Sequence, residues 1–379
     1  CNDDVNKAVW SGLGWDPDRD VTEILRDYSR YFIGDAFADD FAQGVLALEE
    51  NWRGPALANR GIETTWQHFQ KMERTGGPKL RANWRFQMAM FRAACDAYIK
   101  QRLAYEQDLE RDAMLLLQSA PEKGSLAILD AAQATLDRAR TNRVAADLHE
   151  QVFILGEALF QSIRMQLSVS RHRAIAPDRG ATLDTIDLPL NNRPWLLGRF
   201  RAIRELPDET ARLAAIREIV HWTDPGPGGF YDDLGDLTRQ PHLVRNPNPA
   251  DDPSNLESAF VGFADQKGRA GAENFDSALR YSWLNHAETL RGTPLRMRYE
   301  QLDPNAGYRV RVVYGGDSLQ KPIRLMANDA VEIHPLMPKP QPIKPVEFAI
   351  PRAATAKGEL TLSWNGDAAL GGNGRGCQV

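Results

Sequence analysis

The spacing of apolar residues along this chain changes from a period of about 3.6 to a period of 2. In the first 170 residues the longest apolar stripe recurs at steps of three and four, through Trp84, Met88, Phe91, Cys95 and Tyr98. Later, Leu295, Met297 and Tyr299 alternate with charged residues. The first spacing is typical of an amphipathic helix and the second of a half-buried strand. We therefore predict an α+β multidomain chain, an N-terminal helical bundle followed by an antiparallel β-sandwich.

Capping residues and Gly-Pro pairs set the expected ends of the helices. Asp20 with Glu23 three positions later predicts a helix start, and Gly34 predicts its end. Gly54-Pro55 and the 76–78 run predict breaks between successive helices. The expected helices run through residues 21–32, 41–52, 84–116, 144–163, 195–205 and 209–222.

Short alternating segments in the last third of the chain predict strands at residues 295–299, 308–314, 346–350 and 360–364. Turns rich in Gly, Pro, Asn and Asp separate them, which is typical of a jelly-roll sandwich. The prolines between Met337 and Pro345 indicate an edge or a connection, because proline cannot donate a ladder hydrogen bond.

Length and charge exclude several classes of protein. A chain of 379 residues exceeds the usual size of one hydrophobic core, so two or three domains are expected. The net charge of -5 provides no basic surface for nucleic acid. No run reaches the roughly 18 to 20 apolar residues that a transmembrane helix needs. Cys1, Cys95 and Cys377 lack CxxC spacing, which argues against a zinc site or a disulfide scaffold.

Both ends of the sequence predict a fragment of a longer gene product. The sequence starts at Cys1 instead of a methionine and stops at Gly376–Val379, where an apolar pattern resumes. The alternative is a lipoprotein that carries lipid on Cys1. Such anchors usually lead into a polar linker, whereas helical periodicity begins here almost at once.

The first candidate site lies in the opening segment. Asp3, Asp4, Asn6 and Trp10 combine carboxylate, amide and indole groups, which is the chemistry that recognises sugar hydroxyls and the apolar face of a sugar ring. We predict these four as substrate-binding residues. The alternative is that Asp3 or Asp4 caps a helix.

The stretch from Asp3 to Phe32 resembles a passage in bacterial glycoside hydrolase-like proteins related to the α-glucuronidase and β-hexosaminidase barrels. The shared elements are a W-x-P element at Trp15-Asp16-Pro17 and a Y-x-x-x-F-x-G helix from Tyr28 to Gly34. This resemblance implies that residues 1–18 leave an upstream barrel and lead into a helical domain at 19–170. The irregular, proline-punctuated residues after 170 and the periodicity that follows predict that 171–222 are a linker with two short helices. The resemblance also implies a periplasmic or secreted location and catalytic carboxylates on barrel strands that this sequence lacks. No catalytic residue is therefore assigned.

The second candidate site is the loop from Asp224 to Asp236, which contains several glycines, an aromatic pair and the carboxylates Asp232, Asp233 and Asp236. Glycines let a backbone approach a ligand closely, and carboxylates are calcium ligands. We predict these three aspartates as candidate metal ligands for calcium, with no other cofactor. The loop lacks the EF-hand order, and a tight turn entering a strand is the alternative.

The third candidate site is a sugar-stacking platform in the β region, at residues 223–379. Its candidate substrate-binding residues are Tyr281, Trp283 and Arg298, with His286 and Tyr299 nearby. Because Arg298 and Tyr299 are adjacent on a strand, only one of them can join the platform. The alternative is that Trp283 and Tyr281 are ordinary core residues.

The β region resembles the galactose-binding-like and malectin-like jelly rolls appended to glycoside hydrolases. The resemblance is carried by its strand pattern, by residues 360–364 and by the glycine-rich 371–376 run. The predicted function is a C-terminal accessory region of a carbohydrate-active enzyme that binds an oligo- or polysaccharide. The alternatives are a non-catalytic carbohydrate-binding or surface lipoprotein and a purely structural tail.

Overall fold

The structure is a computed structural model that describes residues 3–176, 180–236, 238–248, 252, 279–290, 292–315, 321–366 and 375–379. Cys1, the residue of the lipoprotein alternative, lies outside the described residues, as does the 371–374 part of the glycine-rich run. The described residues form two compact units. The first contains the residues up to Leu109 and Asp137–Leu190, and the second contains Glu110–Leu136 and the described residues from Asn191 onward. These units cut across the predicted boundaries at residues 18, 170 and 222, which stay predictions.

Helices occupy most of the described chain before the strands, and one short helix lies among the strands. They are α1 (Asp3–Trp15), α2 (Val21–Phe32), α3 (Ala38–Glu50), α4 (Gly61–Arg81), α5 (Trp84–Gln118), α6 (Ala120–Lys123), α7 (Ser125–Thr141), α8 (Ala146–Ile163), α9 (Val169–His172), α10 (Thr182–Thr185), α11 (Arg193–Arg204), α12 (Glu209–Val220) and α13 (Arg352–Thr355). Among the described residues, no helix has the length and apolar content needed to cross a membrane.

Helix α2 shows how the sequence sets a helix start. The Asp20 carboxylate accepts a hydrogen bond from the backbone N–H of Glu23 at 3.1 Å, which satisfies one of the free amides of the first turn. Ile24 and Leu25 form the buried face of the helix. Gly34 follows with a φ of 124°, a backbone conformation that favours glycine. The predicted helix is confirmed at both ends.

Two long helices, α4 and α7, lie where the sequence pattern indicated none. Within α4, Gly77 has a φ of 66° and non-helical geometry, so the break predicted ahead of Pro78 is present as a kink between two helical stretches.

The strands are β1 (Glu288–Leu290), β2 (Leu295–Tyr299), β3 (Tyr308–Val313), β4 (Ile323–Ala327), β5 (Val331–Met337), β6 (Pro345–Ile350), β7 (Leu360–Gly366) and β8 (Arg375–Gln378). They pair as an antiparallel four-stranded sheet in the order β2-β7-β4-β5 and as two antiparallel pairs, β3-β6 and β1-β8. The predicted succession of helices and antiparallel strands is confirmed. A jelly-roll sandwich is not confirmed.

Alternation along β2 buries one side of the sheet. Leu295 and Met297 are 0% and 3% exposed, whereas Arg298 between Met297 and Tyr299 faces solvent. Leu295 lies opposite Trp364 of β7, whose indole N–H donates to the Tyr314 hydroxyl at 3.2 Å. The buried indole N–H of Trp364 therefore has its hydrogen-bond partner inside the core.

Candidate functional site

A groove of about 460 Å³ lies beside strand β2. It is lined by aromatic, aliphatic and charged side chains, namely Phe230, Pro241, His242, Leu243, Val244, Arg298, Glu300 and Gln301. All of these residues belong to the second compact unit. Small-molecule sites usually have volumes of about 300 to 1,000 Å³ and combine apolar walls with a few polar groups.

The groove forms where the 242–244 segment pairs with the free edge of β2. The Arg298 amide donates to the His242 carbonyl at 2.8 Å, and the Val244 amide donates to the Arg296 carbonyl at 2.9 Å. Leu243 bridges Met297 between these two bonds. The segment thereby covers an edge strand and places its side chains next to those of β2. Gln301, just after β2, has a φ of 60°, so the chain turns sharply at the groove.

Three rings form a cluster at one wall of the groove. His242 stacks on Tyr299 with ring centroids 4.7 Å apart, and Phe230 contacts both rings at 5.1 and 5.3 Å. Phe230 is 38% exposed, so part of its ring faces solvent at the groove. Aromatic pairs of this kind contribute about 0.5–1.5 kcal/mol beyond their area burial and hold one another in place.

A buried carboxylate orients this ring cluster through hydrogen bonds to two of its rings. The side chain of Asp232 is 6% exposed and accepts from His242 Nδ1 at 2.9 Å and from the Tyr299 hydroxyl at 3.3 Å. Burial, and then the charge of Asp232, raise the pKa of Tyr299 well above its usual value, so this hydroxyl stays protonated as a donor. The Asp232 carboxylate accepts, so Nδ1 of His242 carries the proton of this hydrogen bond.

The charged wall of the groove is an ion-pair set centred on Arg298. Its Nε lies 3.0 Å from Glu300 Oε1, and its Nη2 lies 3.1 Å from Glu359 Oε2. All three side chains are more than half exposed, so each pair contributes only about 0.2–1 kcal/mol to folding. Of the three, Arg298 and Glu300 line the groove, and their heads are available to a ligand there.

The three aspartates predicted as metal ligands accept hydrogen bonds from protein groups. Asp232 holds His242 and Tyr299, as described, and Asp236 accepts from the Thr238 amide at 3.0 Å and the Thr238 hydroxyl at 2.7 Å. Asp233 accepts from the Tyr231 hydroxyl at 3.2 Å, and burial raises the pKa of Asp233.

In the part of the chain that the structure describes, no group of three or more His, Cys, Asp or Glu side chains is arranged to hold a metal ion. Calcium binding by Asp232, Asp233 and Asp236 therefore stays a prediction.

The predicted stacking platform is distributed over different parts of the second unit. Arg298 lines the groove, whereas Trp283 is half-buried and packs against Trp222 with ring centroids 6.0 Å apart. The Tyr281 amide donates to Asn192 Oδ1 at 2.8 Å, which ties that segment to the start of α11. Arg298 thus lines the same groove as Phe230 and His242, and Trp283 lies elsewhere in the unit.

The N-terminal candidates lie on helix α1. Asp4 accepts from Arg85 Nε at 3.2 Å and from the Tyr28 hydroxyl at 3.1 Å, so its carboxylate joins α1 to α2 and α5. Burial and the Asp4 charge raise the pKa of Tyr28 to about 12. Asn6 and Trp10, four positions apart, are exposed on the same helical face, and Trp10 is 84% exposed.

The side chain of Asp3 lies outside the described part of the structure. A substrate-binding role for the N-terminal candidates stays a prediction.

Sequence reasoning did not select Phe230 and His242 as site residues, although both line the groove. Phe230 is part of the aromatic pair noted in the glycine-rich loop, and Pro241 precedes His242 as a signal of an edge segment. Neither residue belongs to a motif, and their proximity to Arg298 arises only through the pairing with β2.

A comparison with solved structures finds a similarity to a family GH115 4-O-methyl-α-glucuronidase described as specific for decorated arabinogalactans. The TM-score is 0.29 and the sequence identity is 10%. The match covers 97% of this chain and 42% of that enzyme, so this chain spans less than half of the enzyme's length. No protein-family model matches the sequence, and no curated protein matches it. A similarity at this level assigns no role to any residue of this chain.

Proposed function

We propose that the second unit binds carbohydrate in the groove beside β2, and that the chain is an accessory region of a glycoside hydrolase-like protein. The observation that carries the binding proposal is the ring cluster of Phe230, His242 and Tyr299, of which Phe230 and His242 line the same groove as Arg298 and Glu300. A periplasmic or secreted location, and closure of the β-sheets into a galactose-binding-like sandwich, belong to the same proposal.

The groove chemistry suits a sugar because it offers an apolar face and directional polar groups side by side. The exposed part of the Phe230 ring provides a flat surface for the C–H face of a pyranose. Arg298 donates to sugar hydroxyls, Glu300 accepts from them, and the Gln301 side chain can do both. The buried Asp232 fixes the His242 ring, so less freedom is lost when a ligand binds.

The proposal for the parent enzyme is supported by the resemblance of the Asp3–Gly34 stretch to glycoside hydrolase-like proteins. A glycosidase needs two carboxylates that flank the scissile bond. We place that pair outside this chain and give the groove a binding role only. In this proposal the chain positions a glycan for a catalytic domain that it accompanies.

The test is a glycan array followed by calorimetric titration of the glycans that bind, with two matched variants. Phe230→Ala removes the exposed ring of the groove, so we expect affinity to fall at least about tenfold, the loss typical of a central contact. Trp283→Ala removes the tryptophan of the predicted platform and is expected to leave affinity unchanged. If no glycan binds the unmodified chain, the proposal is wrong. Loss of binding in Trp283→Ala alone would move the site to the predicted platform.

Calcium is tested in the same titration by adding a chelator. We expect binding to be unaffected, because Asp232, Asp233 and Asp236 accept hydrogen bonds from protein donors. Loss of affinity on chelation, restored by added calcium, would support the calcium prediction.

A further inference from the structure

The charge balance of the groove is unusual for a site that contains an arginine. Among the described residues that line it, Arg298 carries the one permanent positive charge. Two carboxylates, Glu300 and Glu359, lie within 3.1 Å of its guanidinium. Asp232 adds a buried negative charge beneath the His242 ring. Two carboxylates therefore face the one guanidinium of the groove.

An arginine that follows the groove lining in sequence does not change this balance. Arg245 follows the lining residue Val244, and its Nη2 donates to Gln240 Oε1 at 2.9 Å. Its Nη1 lies 3.9 Å from Asp252 Oδ1, so this charge also faces a carboxylate. Arg298 in the groove and Arg245 next to its lining are thus each paired with acidic groups.

We infer that the groove selects uncharged and amino-substituted sugars and rejects sugars that carry a carboxylate, an inference that rests on the proposed carbohydrate-binding function. An acidic sugar that reached Arg298 would place a third carboxylate around a guanidinium that already has two. An ammonium group on the sugar would instead be attracted by Glu300 and Glu359.

Each exposed ion pair is weak, so replacing one glutamate at Arg298 by a ligand carboxylate would itself cost little binding free energy. The remaining carboxylates still repel the ligand. One like charge at about 4 Å in water costs about fivefold in affinity, and more where the groove excludes water. We therefore expect acidic sugars to bind at least about fivefold more weakly than neutral sugars of the same backbone.

The experiment compares β-1,4-linked tetrasaccharides of glucose, glucosamine and glucuronic acid, and of galactose, galactosamine and galacturonic acid, by calorimetric titration of the full chain. In each series, the amino and neutral sugars should bind more tightly than the acidic sugar. This difference in affinity should decrease as the salt concentration is raised. In a Glu300→Gln variant, the affinity for the acidic sugar should come closer to the affinity for the neutral sugar. The matched control is Glu332→Gln, which removes the same charge from an exposed position on β5 outside the groove lining.

The outcomes separate this inference from the proposed function. If none of the sugars binds, both are wrong. If neutral and acidic sugars bind equally, or the acidic sugar binds best, the groove is a sugar site and the charge selection is wrong. If Glu332→Gln reduces the difference in affinity between neutral and acidic sugars as much as Glu300→Gln does, the overall charge of the protein controls selection and the groove does not.

Discussion

Replacement of Asp232 by asparagine tests whether one buried carboxylate organises the groove. The carboxylate accepts from His242 Nδ1 at 2.9 Å and from the Tyr299 hydroxyl at 3.3 Å. An asparagine side chain has one acceptor oxygen, and its NH₂ group would face the second donor. One buried donor therefore loses its partner, which costs about 1–3 kcal/mol. We expect the local free energy of unfolding around β2 to fall by that amount.

A double-mutant cycle separates this hydrogen bond from general disruption. Tyr299→Phe removes the hydroxyl donor, so in the double variant the single acceptor oxygen of the substituted side chain is left to the His242 donors, its Nδ1–H and its backbone N–H. The losses in Asp232→Asn and Tyr299→Phe should then overlap by about 0.5–1.5 kcal/mol, the net value of one hydrogen bond. Because the chain has two compact units, the assay is amide hydrogen exchange of peptides that cover β2 and β7, read by mass spectrometry.

The control is Asp236→Asn in the same loop. One oxygen of Asp236, Oδ1, accepts both bonds from Thr238, and an asparagine oxygen can accept them as well. We expect a change within about 0.5 kcal/mol, as for most surface substitutions. Additive losses in the cycle, or an equal loss in Asp236→Asn, would refute the role assigned to Asp232.

Two further substitutions test close packing and a charged cap in the second unit. A Cβ on Gly235 would lie 1.8 Å from the Ser282 carbonyl oxygen, so Gly235→Ala should lower the local free energy of unfolding, measured by hydrogen exchange, by about 1–3 kcal/mol or more. A Cβ on Gly307 meets nothing within 4 Å, so Gly307→Ala should leave that free energy unchanged. Equal effects of the two substitutions would contradict the close packing at Gly235. Hydrogen bonds from the Ser125 hydroxyl and amide lower the pKa of Glu209, so its contribution is present above its unfolded pKa and is lost as pH falls through the folded value. Glu209→Gln should reduce protection at the start of α7 at pH 7, and this difference from the unmodified chain should vanish in acid; a difference that persists in acid would exclude the carboxylate as the cause.

The sequence predicted those elements whose own residues carry a complete signal. Helix α2 has its cap at Asp20 and its glycine end at Gly34, and both function as expected. Strand β5 was not predicted, because Pro335 follows His334 within the strand and the pairing with β4 shifts register there. A proline and an irregular register interrupt the alternation that identifies a strand, although the strand remains paired on the sheet edge.

The glycines of the 224–236 loop show that sequence does not reveal whether a glycine backbone approaches a ligand or another segment of the chain. Glycine was expected there to let the backbone approach a ligand, yet Gly235 approaches the carbonyl of Ser282, a residue of the same chain. Both cases require the missing Cβ, so composition does not distinguish them. The partner is set by a contact between segments that lie far apart in sequence.

The same limit applies to the groove, where composition suggested candidate residues and long-range pairing selected among them. Arg298 and Trp283 were equal candidates for a sugar platform, but the pairing of the 242–244 segment with β2 gives Arg298 the rings of His242 and Phe230 as neighbours. Trp283 instead packs on Trp222. An aromatic residue contributes to a core or to a binding surface with the same side chain, and its exposure decides which. Because that exposure depends on which segment covers the free edge of β2, a site of this kind is defined by strand pairing and cannot be read from a motif.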